Sequence, residues 1–163
     1  MKLYLIRHGE AIARCETVSE EDRWLTAAGR NDFRANARRL GKKVAVPDVI
    51  ATSPLVRAVQ TADILAETLR FDGEVRVSQE LAPGFSAEGL FRLAAACGSP
   101  RSLAVVGHEP DLGEVLARLL GRDEALPFKK GAIVSLKLEP AGSGTPARFR
   151  WLIQGGKKFS SVG

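Results

Sequence analysis

The sequence predicts an α/β protein, a three-layer α/β/α sandwich whose central sheet is mostly parallel with an antiparallel edge strand. Short apolar runs alternate with segments of helical period, as expected for repeated strand-helix units. Residues 103–106 are apolar throughout, like a central parallel strand covered on both faces. Residues 132–138 and 148–153 are strand-like with no helix between them, which predicts a hairpin or edge pair. We expect residues 155–163 to form a loose basic tail.

The first strand-helix unit begins at the start of the chain. Residues 2–6 are apolar enough for a buried strand, and Gly9 suits a sharp exit from it. Residues 11–22 are polar and show no apolar period, so we expect a loop over or beside a site. Thr26 is the predicted cap of a helix that Gly41 ends.

The following units have the same design. The second strand covers residues 49–52, and Ser53 and Pro54 are predicted as the cap and first position of the next helix. A short strand is expected at residues 74–77, and two further helices, beginning near Ser86 and Pro110, flank the apolar strand at residues 103–106.

Composition limits the class of protein. The 163 residues, 45% hydrophobic and 26% charged, predict one domain, residues 1–163, with a sizeable core. No apolar run suits a signal peptide or a membrane span, so we expect a soluble cytoplasmic protein without a membrane partner. Cys15 and Cys97 lack CxxC spacing and predict neither a disulfide framework nor a zinc site. The net charge of +5 favours anionic partners, but the basic stripe of the first helix has no interleaved aromatic residues, so no nucleic-acid partner is expected.

Three predicted strands end near basic side chains. Arg7 and His8 follow the first strand, Arg57 lies just after the second, and His108 follows the apolar strand at residues 103–106. In open α/β sheets, ligands bind beyond the carboxyl ends of the strands. Both histidines of the chain lie at such ends. We therefore expect these four side chains to form one site.

Two arginines and two histidines together suit phosphoryl chemistry. Arginine forks bind phosphate oxygens bidentately and stay charged, so Arg7 and Arg57 are expected to hold a phosphoryl group, with His108 as a further donor. A neutral His8 can attack phosphorus and form a phosphohistidine intermediate that water later hydrolyses. A metal site made by the histidines and a nearby carboxylate is the alternative. The neighbouring arginines disfavour a bound dication, so we expect no metal and no cofactor.

The motifs that carry these residues resemble those of the histidine phosphatase superfamily, which has the phosphoglycerate-mutase-like fold. Arg7, His8 and Gly9 match its Arg-His-Gly signature, and LTAAGR, SPLVRAVQTA and VVGHEPDL resemble its later motifs in the same order. The segments ELAP, GHEPDL and KKGAIVSL are most similar to the SixA-type phosphohistidine phosphatases, small proteins without a lid domain. The resemblance implies His8 as the phosphorylated nucleophile and Arg7, Arg57 and His108 as the phosphate pocket.

One departure from the superfamily bears on the substrate. Mutases and many phosphomonoesterases have a glutamate soon after the leucine that corresponds to Leu81, whereas alanine and proline follow it here. The usual proton donor is therefore missing, and Glu80, Glu10 or Glu109 would have to act from another direction. An alkoxide leaving group needs a proton, whereas the imidazole of a phosphohistidine departs neutral once its other nitrogen is protonated.

The predicted activity is thus the hydrolysis of phosphohistidine in a phosphorylated protein, which the resemblance implies to be a phosphotransfer domain of a sensor kinase. Two alternatives remain open. One is a broad-specificity phosphomonoesterase acting on phosphorylated small molecules. The other is a non-catalytic module that binds phosphate or phosphoprotein in the same basic pocket. The intact His8 and His108 favour an enzyme.

Overall fold

The computed structural model describes residues 1–140, 142 and 144–162. These residues form a seven-stranded sheet in the order β3-β2-β4-β1-β5-β6-β7, together with four α-helices. The strands are β1 (Lys2–Arg7), β2 (Val49–Thr52), β3 (Val75–Val77), β4 (Ser102–Gly107), β5 (Ile133–Leu138), β6 (Ala147–Gln154) and β7 (Lys157–Phe159). The helices are α1 (Ala27–Gly41), α2 (Val56–Leu69), α3 (Ala87–Ala96) and α4 (Asp111–Leu119). None of the helices in these ranges is long and apolar enough to cross a membrane.

The sheet has a parallel half and an antiparallel half. Strands β1 to β4 pair in parallel, and β5, β6 and β7 follow antiparallel, beginning with β5 on β1. The predicted α/β fold is confirmed, although the antiparallel part has three strands instead of one edge strand. The prediction of a loose tail over residues 155–163 is wrong for Lys157–Phe159, which form β7. Gly155 and Gly156 adopt left-handed turn conformations, with φ of 54° and 69°, that return Lys157–Phe159 onto β6. Gly163 lies outside the described residues.

Helices cover both faces of the sheet, which confirms the three-layer arrangement. Along β1, Leu3 and Leu5 face a core shared with α3 and α4, whereas Tyr4 and Ile6 face a core shared with α1 and α2. All four side chains are at most 1% exposed. Because β1 is packed on both faces, the residues that follow it are held in a fixed position.

Three of the four helices begin where the sequence predicts. Thr26 caps α1 as predicted, and α3 and α4 begin where expected. By contrast, α2 begins at Val56, so Ser53 and Pro54 precede the helix instead of opening it. The Ser53 hydroxyl accepts from the Leu55 amide at 3.3 Å and also lies 2.7 Å from Nε2 of His108.

Candidate active site

Three adjacent strands deliver the predicted site residues to one edge of the sheet. The order β2-β4-β1 places these parallel strands side by side, so their carboxyl ends meet. The structure brings Arg7, His8, Arg57 and His108 together in a cleft of about 460 Å³. Arg57 reaches the cleft from the first turn of α2. The other side chains that line it are Arg14, Glu20, Arg23, Glu109 and Lys130.

His8 is a buried, neutral imidazole of defined tautomer. Its Nδ1 lies 2.7 Å from the carbonyl oxygen of Gly9, which can only accept, so Nδ1 carries the proton. The lone pair on Nε2 then accepts from the Nε–H of Arg57 at 3.3 Å. Burial lowers the pKa of His8 to about 4, helped by the charges of Arg57 and Arg7 and opposed by the Gly9 hydrogen bond. At pH 7 the ring is therefore uncharged, with an electron pair at Nε2.

His108 lies beside His8, with the ring centroids 5.2 Å apart. Its Nε2 is 2.7 Å from Oγ of Ser53, a serine with no exposed surface. Burial lowers the pKa of His108 to about 3, helped by repulsion from Arg57 and, in the acidic range where both rings titrate, from protonated His8. Both histidines are thus uncharged in the free protein, and an anion between them would raise their pKa values.

Arg7 is oriented by the chain that precedes β5. Its Nη1 donates to the carbonyl oxygen of Phe128 at 2.8 Å. Two buried polar atoms of the site, Nε of Arg7 and Nδ1 of His108, make no hydrogen bond to any of the described residues. Buried polar groups are normally paired, so these two atoms suit a ligand rich in oxygen.

Arg57 is held by Glu20, which lies in the loop before α1. Its Nη1 donates to the Glu20 carbonyl oxygen at 2.7 Å, and its Nη2 donates to the Glu20 carboxylate at 3.2 Å. The same carboxylate accepts from Arg23 at 2.8 Å and from Arg14 at 3.1 Å. Burial alone would raise the pKa of Glu20, but the three guanidinium groups together lower it. The sequence placed this loop beside the site without identifying Glu20, because nothing local distinguishes it from the other acidic residues there.

The three carboxylates considered as proton donors lie in different surroundings. Glu80 does not line the cleft, and Arg92 donates to both of its oxygens, at 3.0 and 2.8 Å. This pairing lowers the pKa of Glu80, so the structure gives no support to Glu80 as a proton donor. Glu10 is paired with Lys130 at 2.7 Å. Glu109 does line the cleft, and burial raises its pKa against the opposing effect of two backbone hydrogen bonds.

The charges of the cleft suit an anion. Five arginine or lysine side chains and two carboxylates line it. Within the part of the chain that the structure describes, no group of three or more His, Cys, Asp or Glu side chains could hold a metal ion. Cys15 is exposed and Cys97 is half-buried against the core, and both are free thiols.

Comparison with known proteins assigns the family. The model of the histidine phosphatase superfamily (branch 1) matches residues 3–83. The phosphohistidine phosphatase SixA of Escherichia coli is 30% identical over 154 residues, which cover 93% of this chain and 92% of that protein. The chain therefore belongs to the histidine phosphatase superfamily. An uncharacterized protein of Picosynechococcus is 38% identical over 143 residues, 84% of this chain and 85% of that protein.

Solved structures agree with this assignment. The protein histidine phosphatase SixA complexed with tungstate superimposes with a TM-score of 0.81 at 28% identity, covering 95% of this chain and 97% of that one. A mycobacterial glucosyl-3-phosphoglycerate phosphatase has the same fold, with a TM-score of 0.67 at 19% identity over 91% of this chain and 96% of that one. Within the superfamily, the chain is SixA-like in both sequence and fold, and the predicted class of enzyme, a phosphatase, is confirmed.

Proposed function

We propose that this phosphatase removes the phosphoryl group from phosphohistidine in a protein, with His8 as the nucleophile. The observation that carries the proposal is the state of His8. Its proton is fixed on Nδ1 by Gly9, its pKa is far below neutrality, and its Nε2 lone pair lies against Arg57. The similarity to SixA, which is named a phosphohistidine phosphatase, supports the same substrate class.

The proposed reaction has two displacement steps. Nε2 of His8 forms a bond to phosphorus while the P–N bond to the substrate histidine breaks, and the substrate imidazole leaves with a proton on its other nitrogen. Water then attacks the phosphorus of phosphorylated His8, which releases orthophosphate and restores the lone pair. Arg7 and Arg57 offset the negative charge on the equatorial oxygens in both steps. Nε of Arg7, and Nδ1 of His108 in the tautomer that has its proton there, would hydrogen-bond those oxygens, since both atoms are buried without a partner among the described residues.

The surroundings of the leaving group support phosphohistidine over an ester. Ala82 follows the leucine after which many phosphomonoesterases have their acid, and Glu80 is engaged with Arg92. An imidazole leaving group, with an unperturbed pKa of about 6.5, needs less acid catalysis than an alkoxide.

The size of the connecting segments supports a protein substrate. The longest connection between the described helices and strands is residues 8–26, and it contributes Arg14, Glu20 and Arg23 to the wall of the cleft. No longer insertion among the described elements supplies a lid domain. We propose that a surface such as the phosphotransfer domain of a sensor kinase presents its phosphohistidine to this cleft.

Hydrolysis of small phosphomonoesters is the second candidate, and Glu109 is the observation that favours it. This carboxyl group lines the cleft directly after His108, and its pKa is raised by burial. A protonated carboxyl group in that position would supply the proton that an alkoxide leaving group needs. Its two oxygens already accept from the amides of Gly113 and Phe128, at 3.0 Å each, which favours the ionised form and weakens this candidate.

The deciding experiment compares two substrates in the presence of EDTA. Phosphate release is measured from a phosphohistidine-bearing phosphotransfer protein and from an aryl phosphate, with the wild type, His8→Ala and Glu109→Gln. The proposal predicts release mainly from phosphohistidine, abolished in His8→Ala and largely retained in Glu109→Gln. Faster release from the ester that depends on Glu109 would establish the second candidate. Release that persists in His8→Ala would exclude His8 as the nucleophile, and no release from either substrate would leave a non-catalytic binding module.

A further inference from the structure

The guanidinium group of Arg57 has little freedom in the free protein. Arginine has five N–H donors in a rigid plane, and Nε and Nη2 lie on the same edge of that plane. Here this edge donates to two acceptors, Nε2 of His8 at 3.3 Å and Oε1 of Glu20 at 3.2 Å. Two acceptors bound to one guanidinium edge are neighbours, so a Glu20 carboxylate oxygen lies beside the nitrogen proposed to attack phosphorus.

A phosphoryl group would need the same place. Once it is bonded to Nε2 of His8, its oxygens lie next to the edge formed by Nε and Nη2 of Arg57. Arginine binds phosphate and carboxylate oxygens with the same bidentate geometry. The Glu20 carboxylate is therefore positioned where a phosphoryl oxygen would interact with Arg57.

We propose that Glu20 is an internal competitor that sets the affinity of the site for phosphoryl groups, because its carboxylate must leave Arg57 before a phosphoryl oxygen can bind there. This inference rests on the proposed role of Nε2 of His8.

The proposed exchange requires movement of the Glu20 side chain but not of the loop backbone. The backbone is anchored on α2, where the Glu20 carbonyl accepts from Arg57 at 2.7 Å and the Glu21 carbonyl accepts from the Val56 amide at 2.9 Å. The Glu20 side chain is 40% exposed, and Arg14, one of its partners, is 82% exposed. A rotation of the Glu20 side chain toward solvent thus frees Nη2 of Arg57 without moving the backbone of the loop.

The energetic consequence is a lower affinity for every oxyanion. In the closed arrangement the Glu20 carboxylate is bound to Arg57, and in the open arrangement it has rotated away. The apparent affinity of a ligand that binds only the open arrangement is its intrinsic affinity multiplied by the fraction of molecules that are open. The Glu20 carboxylate accepts hydrogen bonds from Arg57 at 3.2 Å, from Arg23 at 2.8 Å and from Arg14 at 3.1 Å, and these three contacts favour the closed arrangement. Removal of the carboxylate should therefore strengthen oxyanion binding, a gain that a merely structural defect would not produce.

The test measures binding of tungstate by isothermal titration calorimetry, which needs no substrate and no turnover. Glu20→Gln removes the competing charge with little change in shape, and we expect tungstate to bind about ten-fold tighter, equivalent to about 1.4 kcal/mol. Glu20→Asp keeps the charge but withdraws it by one methylene group, and we expect binding several-fold tighter. The matched control is Glu21→Gln, which removes the same charge from the same loop. Glu21 hydrogen-bonds the start of α2 through its backbone carbonyl, and its charge acts on Arg57 more weakly than that of Glu20. We expect less than a two-fold change there.

Each outcome separates the inference from the proposed function. Equal tightening in Glu20→Gln and Glu21→Gln, with Glu20→Asp like the wild type, would show that net charge alone matters and would overturn the inference. Weaker binding in Glu20→Gln would also overturn it, because Glu20 would then be needed to hold Arg57 for the ligand. Both results leave the phosphoryl pocket intact. Failure of the wild type and every variant to bind tungstate would overturn the pocket itself, and the inference with it.

Discussion

Acidification from pH 7 to pH 5 is expected to destabilise the folded protein by about 4 kcal/mol through His8 and His108. The ordinary histidine pKa is 6.5, and burial holds the folded pKa at about 4 for His8 and about 3 for His108. Stability from keeping the rings neutral is fully present above pH 6.5 and is lost as the pH falls from 6.5 toward the folded values. Because pH 5 is about 1.5 units below the unfolded pKa, each ring costs about 2 kcal/mol there.

Urea unfolding at pH 7 and pH 5 measures this loss. The buffers must be free of phosphate, because an anion bound between the rings would raise both pKa values. The variants His8→Asn and His108→Asn each remove one titrating group, and each should reduce the pH-dependent loss by about 2 kcal/mol. Burial raises the pKa of Glu109, so protonation of that group has the opposite sign, but it is common to all three proteins and cancels in the comparison. The same loss in all three proteins would refute the reasoning, since the histidines would then not be buried as neutral groups.

Three further substitutions test the site and its support. Arg57→Ala should lower kcat by about 100- to 1,000-fold, because a preorganised donor to the developing charge is lost, and a change confined to KM would contradict this. Ser53→Ala removes the hydroxyl 2.7 Å from Nε2 of His108 and should lower kcat about ten-fold, with an altered pH-rate profile; an unchanged profile and rate would show that His108 is positioned without it. Gly29→Ala places a Cβ against the carbonyl oxygen of Glu10 and should lower the free energy of unfolding, measured by urea titration, by about 1–3 kcal/mol. An unchanged free energy of unfolding would mean that the backbone relaxes to accommodate the added methyl group.

The residues of the proposed phosphoryl pocket could be predicted because each follows a local signal. An apolar run that stops abruptly at Arg7 and His8, and another that stops at His108, predicts where buried strands end. Parallel strands of one sheet present their carboxyl ends on the same side, so separate local signals imply a shared site even before the strand order is known. The structure adds that β2, β4 and β1 are direct neighbours, which is why Arg57 reaches Nε2 of His8.

The predictions for Ser53 and for the C-terminal tail are wrong because they depend on contacts between residues far apart in the chain. Ser53 has the sequence signature of a helix cap, but His108 lies 2.7 Å from its hydroxyl, and α2 starts three residues later. The segment after β6 is basic and rich in glycine, so it has the composition of a loose tail. It forms β7 because Gly155 and Gly156 make a turn, and the Gly156 amide donates to the buried Asn36 of α1 at 2.9 Å. Neither partner could be identified from local sequence.

The role of a carboxylate in this fold depends on which arginine reaches it. Glu80 lies beside a motif of the superfamily, which made it a possible proton donor, but Arg92, 12 residues further along the chain, binds both of its oxygens. Glu20 lies in a loop without a motif, yet Arg57, 37 residues away, contacts both its carbonyl oxygen and its carboxylate. In each pair the two residues are too far apart in the chain to be neighbours on one helix or one strand. The contact to Arg57 forms only when the loop before α1 packs on the start of α2. The role of a carboxylate in or near this cleft therefore has to be inferred from its arginine partners, and Glu20 is the one that shares Arg57 with the proposed nucleophile.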